Sequence, residues 1–156
     1  MRNKRMLLKT AFSVLALSLS LSAAAAANGT VQPQGEKSLY ERIGGYNALA
    51  AVVDDFIVRL VTDKRFEKFF VGHSEDSQKR IRQHLLDQFC AATGGPCIYT
   101  GRDMKTTHHG LGITEADWDA AAKHLVASLD KFKVPEKEKG EVVAFVTTLK
   151  KDIVEK

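Results

Sequence analysis

Of the 156 residues, 23 are Lys or Arg and 19 are Asp or Glu, a formal charge of +4. Four of the basic residues (Arg2, Lys4, Arg5, Lys9) and none of the acidic ones fall in residues 1–27, so residues 28–156 balance at 19 against 19. That balance excludes a protein built to bind nucleic acid or an anionic membrane surface.

Residues 1–27 read as a secretory signal peptide. A basic head precedes an uncharged run, Thr10 to Ser22, and Ala23 to Ala27 supply the small residues of a cleavage site. The run is short and serine-rich for a membrane span of about 20 apolar residues. Cleavage near Ala27 therefore predicts a periplasmic or secreted protein with no membrane segment after processing. Residues 28–37 carry Gly29, Pro33 and Gly35 and read as a flexible lead-in. Residues 38–156 are long enough for one domain with one core.

Ser38 caps a short helix over Leu39 to Ile43, with Glu41 completing a capping box, and Gly44-Gly45 ends it. From Asn47 to Thr62 the residues Leu49, Val52, Val53, Phe56, Ile57 and Leu60 recur at helical spacing, with Asp54, Asp55 and Arg59 off the stripe. Phe66, Phe69 and Phe70 form an aromatic segment closed by Gly72. Ser74 to Thr93 carries the next helix, its inward stripe Ile81, His84, Leu85, Gln88, Phe89 and Ala92. Thr93-Gly94-Gly95-Pro96 stops it.

The stretch Gly94 to Thr114 is too rich in Gly, Pro, Asp and Thr for one long helix, but Met104 to His108 can form a single turn. Thr114 then caps a helix with Asp117 three residues on, burying Trp118, Ala121, Ala122, Leu125, Leu129 and Phe132. A last helix is expected from Pro135 to Val154 with Val142, Val146, Leu149 and Ile153 inward. No strand-period run competes, so the predicted fold is all-α. Cys90 and Cys97 sit seven apart in a chain bound for an oxidising compartment, which favours a disulfide over two reduced thiols.

Five histidines are present, at 73, 84, 108, 109 and 124, without the spacing of a zinc site. His108 and His109 point about 100° apart on a helix, so only one faces inward. Met104, four residues before His108, selects His108. One imidazole on a short helix, roofed by apolar helices, suits ligation of haem iron from one side. His84 stands on an otherwise apolar stripe, either as an edge residue satisfied locally or as a group facing a cofactor.

These pieces, in order, resemble a group I truncated haemoglobin. They are Leu39-Tyr40-Glu41-Arg42-Ile43-Gly44-Gly45, Val53-Asp54-Asp55-Phe56, Phe69-Phe70-x-Gly72, Gly94-Gly95-Pro96, Tyr99-Thr100-Gly101-Arg102, and Met104-Lys105-x-x-His108 with Gly112-Ile113-Thr114. The resemblance spans Ser38 to about Val154 and implies a two-over-two helical sandwich around one non-covalent haem b. It implies His108 as proximal iron ligand and Phe70 as the ring on the porphyrin face. Met104, Phe89, Tyr99, Trp118 and Phe56 are then pocket walls.

On the distal side the chain departs from oxygen-storing relatives, having Ile57 and Leu85 where those commonly carry Tyr and Gln, with Ile81 one turn earlier. A polarised diatomic ligand is held longer by a hydrogen-bond donor, and those donors are missing. By the same resemblance His84 falls where some relatives place a sixth iron ligand. The function implied is reversible binding of a diatomic gas (O2, NO or CO) by a monomer, an oxygen-binding or oxygen-transport role. Alternatives are a nitric-oxide-detoxifying or peroxidase-like haem enzyme fed by an unknown electron donor, and a bis-histidyl electron-transfer or redox-sensing protein. A plain helical module with His108 as a satisfied core residue stands outside haem chemistry.

Overall fold

The middle of the second helix shows how the chain is held together: two adjacent carboxylates, Asp54 and Asp55, reach in different directions. The computed structural model describes residues 35–156, so the expected signal peptide and most of the lead-in lie outside the described residues. The elements are α1 (Leu39–Ile43), α2 (Gly45–Thr62), α3 (Glu67–Phe70), α4 (Glu75–Ala92), α5 (Met104–His108), α6 (Glu115–Lys131), α7 (Glu136–Thr148) and α8 (Lys150–Ile153). No strand occurs among the described residues. None of these helices is long and apolar enough to cross a membrane.

α2 packs on α4 and on α6, and α6 packs on α7. The shared core is Leu49, Val52 and Val53 of α2, Leu86, Phe89 and Cys90 of α4, Leu125 and Leu129 of α6, Val134, and Val142 of α7. Burying side chains of this size stabilises a fold by roughly 1.5–3 kcal/mol each. Both expected capping boxes form. Ser38 Oγ accepts from Glu41 N while Ser38 N donates to the Glu41 carboxylate, and Thr114 and Asp117 repeat the exchange.

Asp54 reaches α4 through Arg82, and Asp55 reaches α6. The Asp55 carboxylate accepts from Arg59 Nε at 2.6 Å, Ser128 Oγ at 2.8 Å and Lys131 Nζ at 2.5 Å. Those bonds, Lys131 first and then Arg59, hold its pKa far below the usual carboxylate range. A depressed folded-state pKa contributes stability that is present above the unfolded value and lost as pH falls through the folded one. Asp55→Asn is therefore expected to cost about 1–3 kcal/mol at pH 7. The gap to wild type should narrow steadily below about pH 4, as read by urea unfolding at several pH values.

Three expectations about faces are corrected. In α4 the fully buried stripe is Leu86, Phe89, Cys90 and, just past the helix, Thr93, while Ala92 is exposed and Ile81 is 36 % exposed. The set Ile81, His84, Leu85, Gln88, half-buried apart from the exposed Ile81, lies five residues earlier, rotated by about 140°, so α4 has a core face and a second face. In α6 the expected burial of Phe132 fails: it is 40 % exposed, under the Lys131 ammonium. It follows the last helical turn, the chain reverses at Lys133 (φ 57), and Val134 enters the core instead.

The single terminal helix expected to Val154 is two. Thr147 and Thr148 hydroxyls donate back to the carbonyls of Val143 and Phe145, and Leu149 N donates to Val146 O three residues back. Such back-bonding competes with the helical ladder and bends it. The bend turns α8 onto α5.

Candidate functional site

α5 is five residues long, too short to be stable by itself, so its caps and neighbours determine where its side chains point. Asp103 caps it, accepting from Thr106 N and Thr106 Oγ1, both at 2.8 Å. These bonds hold the Asp103 carboxyl below its ordinary pKa. Met104 and His108, one turn apart, are both half-buried, whereas the His109 side chain is 83 % exposed.

His108 Nδ1 lies 2.8 Å from the carbonyl oxygen of Met104. A carbonyl only accepts, so Nδ1 carries the proton, and the neutral ring keeps its lone pair on Nε2. A ligating histidine needs this arrangement, with the far nitrogen fixed by a hydrogen bond.

The second candidate histidine stands on the second face of α4. His84 is half-buried, its ring edge-on to Tyr99, with centroids 6.2 Å apart and planes at 80°. Tyr99 is itself anchored, its hydroxyl donating to Arg102 O at 2.5 Å, and burial, then Asp103, pushes its phenol pKa up. Cys90 and Cys97 are joined in a disulfide, tying the core face of α4 to the segment that delivers Tyr99. Gly95 lies inside that loop because a side chain there would collide with Cys90 Sγ and Tyr40.

His84 Nδ1 is the single buried side-chain nitrogen or oxygen without a hydrogen-bond partner among the described residues. An orphan of this kind costs about 1–3 kcal/mol. The other histidines are accounted for: His73 is exposed, His109 faces solvent, and His124 Nε2 lies 2.9 Å from Asp63. His84 and His108 combine partial burial with a ring nitrogen left over; half-buried His124 also keeps its Nδ1 free, but its ring is held by Asp63 and packs edge-on to Phe66.

The remaining expected site residues divide by depth. Phe56, Ile57 and Leu85 are partly buried and pack against the core cluster. Phe70 and Trp118 are half-buried, and Ile81 is the most open. Phe89 belongs to the core, 4 % exposed and edge-to-face with Phe145 at 6.0 Å. Phe145 was not expected. It extends the α7 stripe three residues beyond Val142, so its signal was present in the spacing.

An all-α packing of this order, with one free imidazole nitrogen on a capped short helix and an unpartnered one on the helix before it, defines a globin-type haem protein of reduced length. The bacterial-like globin family model matches residues 38–155. A group 1 truncated haemoglobin of Mycolicibacterium paratuberculosis is 37% identical over 116 residues, covering 74% of this chain and 83% of that one. One from a Nostoc species is 34% identical over 119 residues, covering 76% and 98%.

Among solved structures, the Fe(III) form of truncated haemoglobin from Tetrahymena pyriformis superposes with a TM-score of 0.69 at 28% identity, covering 77% of this chain and 100% of that one. The 2/2 haemoglobin from a Synechococcus species, in the cyanomet state with covalently attached haem, gives 0.69 at 30% over the same shares. The chain belongs to the bacterial-like globins, as a group 1 truncated haemoglobin, and its cofactor is haem.

Proposed function

We propose that this chain holds one haem b without a covalent link, uses His108 as the proximal ligand, and reversibly binds a diatomic gas outside the cytoplasm. The observation that carries this reading is the Nδ1–H of His108 donated to Met104 O at 2.8 Å. It fixes the tautomer and aims a neutral Nε2 away from its own helix. Haem, when bound, supplies the iron that takes the gas. His108 would hold that iron from one side, with Met104, Tyr99 and Phe70 as the apolar side chains that would pack on the haem. The apolar side chains of α2 and α4 keep water out, which slows oxidation of a ferrous centre. Titration of purified protein with haem should reach its end point at one equivalent per chain.

One observation favours a second reading on the same site. The buried Nδ1 of His84 has no partner, and Ile57 and Leu85 offer no donor beside it. His84 as a sixth ligand makes the resting protein low-spin and suits it to electron exchange or reaction with nitric oxide, with an electron donor supplied by another protein. The ferrous protein without added gas is expected to show a six-coordinate spectrum that becomes five-coordinate in His84→Ala. Identical spectra for the two would leave gas binding in place and remove His84 from the iron.

A further inference from the structure

The segment after α8 is bonded almost entirely to the loop that leaves the proximal helix. Glu155 carboxylate oxygens accept from Gly110 N at 2.7 Å and Gly112 N at 2.5 Å. Glu155 N donates to Ile113 O at 2.9 Å, and Glu115 N donates to Lys156 O at 3.1 Å. The His109 ring nitrogen lies 3.6 Å from the same carboxylate. Gly110 (φ 82) and Gly112 (φ 64) are both left-handed, which turns their two amides toward one point. Leu111 N closes the turn on His108 O at 3.1 Å.

The clamp matters because α5 has little rigidity of its own. Its first turn is held by Asp103 and by the Tyr99 hydroxyl on Arg102 O. Its last turn runs into a loop with two glycines, where the bond from Leu111 N to His108 O is the one local tie beyond the helix cap. α8 packs against α5, and the residues following it supply the missing anchor.

We propose that Glu155 is a positioning residue for the proximal histidine: by gripping the amides of Gly110 and Gly112 it sets the angle and tension with which His108 meets the haem iron. This rests on the haem reading above. The Glu155 carboxylate bonds Gly110 and Gly112 and not His108, so its effect passes through the backbone of the loop.

The test uses the full mature chain in the His84→Ala background, so that the ferrous state is five-coordinate. Amide exchange of the haem-free protein reads the clamp, and the iron–histidine vibration of the ferrous haem protein reads its consequence. In Glu155→Ala, Gly110 and Gly112 amides should exchange faster, the iron–histidine band should shift or broaden, and haem should leave for an acceptor protein about tenfold faster. Glu155→Gln, keeping one acceptor oxygen, should fall between the two and guards against a variant that folds poorly. Unchanged amide exchange, or faster exchange with an unmoved band, would overturn the proposal while leaving haem binding intact. Failure of the parent with Glu155 present to take up haem would instead overturn the haem reading, and this inference with it.

Discussion

His108→Gly should fold, refuse haem, and regain colour when imidazole is added to the buffer. Removing an outer-shell partner of a metal-bound histidine already weakens binding roughly 10–100-fold, and removing the ligand itself must exceed that. The fold should survive, because His108 is half-buried at the end of a five-residue helix and is not one of the buried residues that make up the central core. Glycine in a helix costs about 1 kcal/mol against alanine, a small fraction of the stability of a domain this size. Imidazole restores the missing nitrogen without the backbone, so its effect separates lost ligation from lost folding. His109→Gly is the matched control. Its side chain is 83 % exposed, and the variant should keep a Soret band of full intensity. Equal haem uptake by wild type and His108→Gly would remove the basis of every function proposed above.

The choice of His108 over its neighbour was legible because it rests on local geometry. A 100° turn per residue and an apolar partner four residues back settle which ring faces inward. The capping boxes at Ser38 and Thr114 were legible for the same reason, since each is a four-residue pattern. α4 was legible as a helix but not in its division of labour. Its two stripes overlap in sequence, and only the neighbours show that Leu86, Phe89 and Cys90 are buried in the core while Leu85 lies at its edge and His84 and Gln88 are half-buried beside it. The break at Leu149 escaped notice because Thr147 and Thr148 are unremarkable in a helix until their hydroxyls turn back on the ladder. The grip of Glu155 on Gly110 joins residues 45 positions apart, and no local pattern announces such a pairing.

Ile57→Tyr should slow the release of oxygen from the ferrous protein by about tenfold and barely change the release of carbon monoxide. Ile57 of α2 and Leu85 of α4 are each partly buried against the core, and neither side chain can donate a hydrogen bond. A phenol O–H placed there gives one donor in a space with little water. A hydrogen bond to a charged or polarised partner in such a setting is worth about 1.5 kcal/mol, which is close to one decade in an off-rate. Oxygen draws negative charge from ferrous iron and carbon monoxide draws much less, so a donor discriminates between them while simple crowding would slow or speed both. Leu85→Gln offers a donor from the facing helix and should act in the same direction. Extra volume in a packed region typically costs 1–3 kcal/mol, so the thermal unfolding of each variant has to be followed alongside. Stopped-flow release of both gases, in the His84→Ala background, is the measurement. A change shared equally by both gases would mean that residue 57 acts by bulk, and the missing distal donor would then have no bearing on how long this protein keeps its ligand.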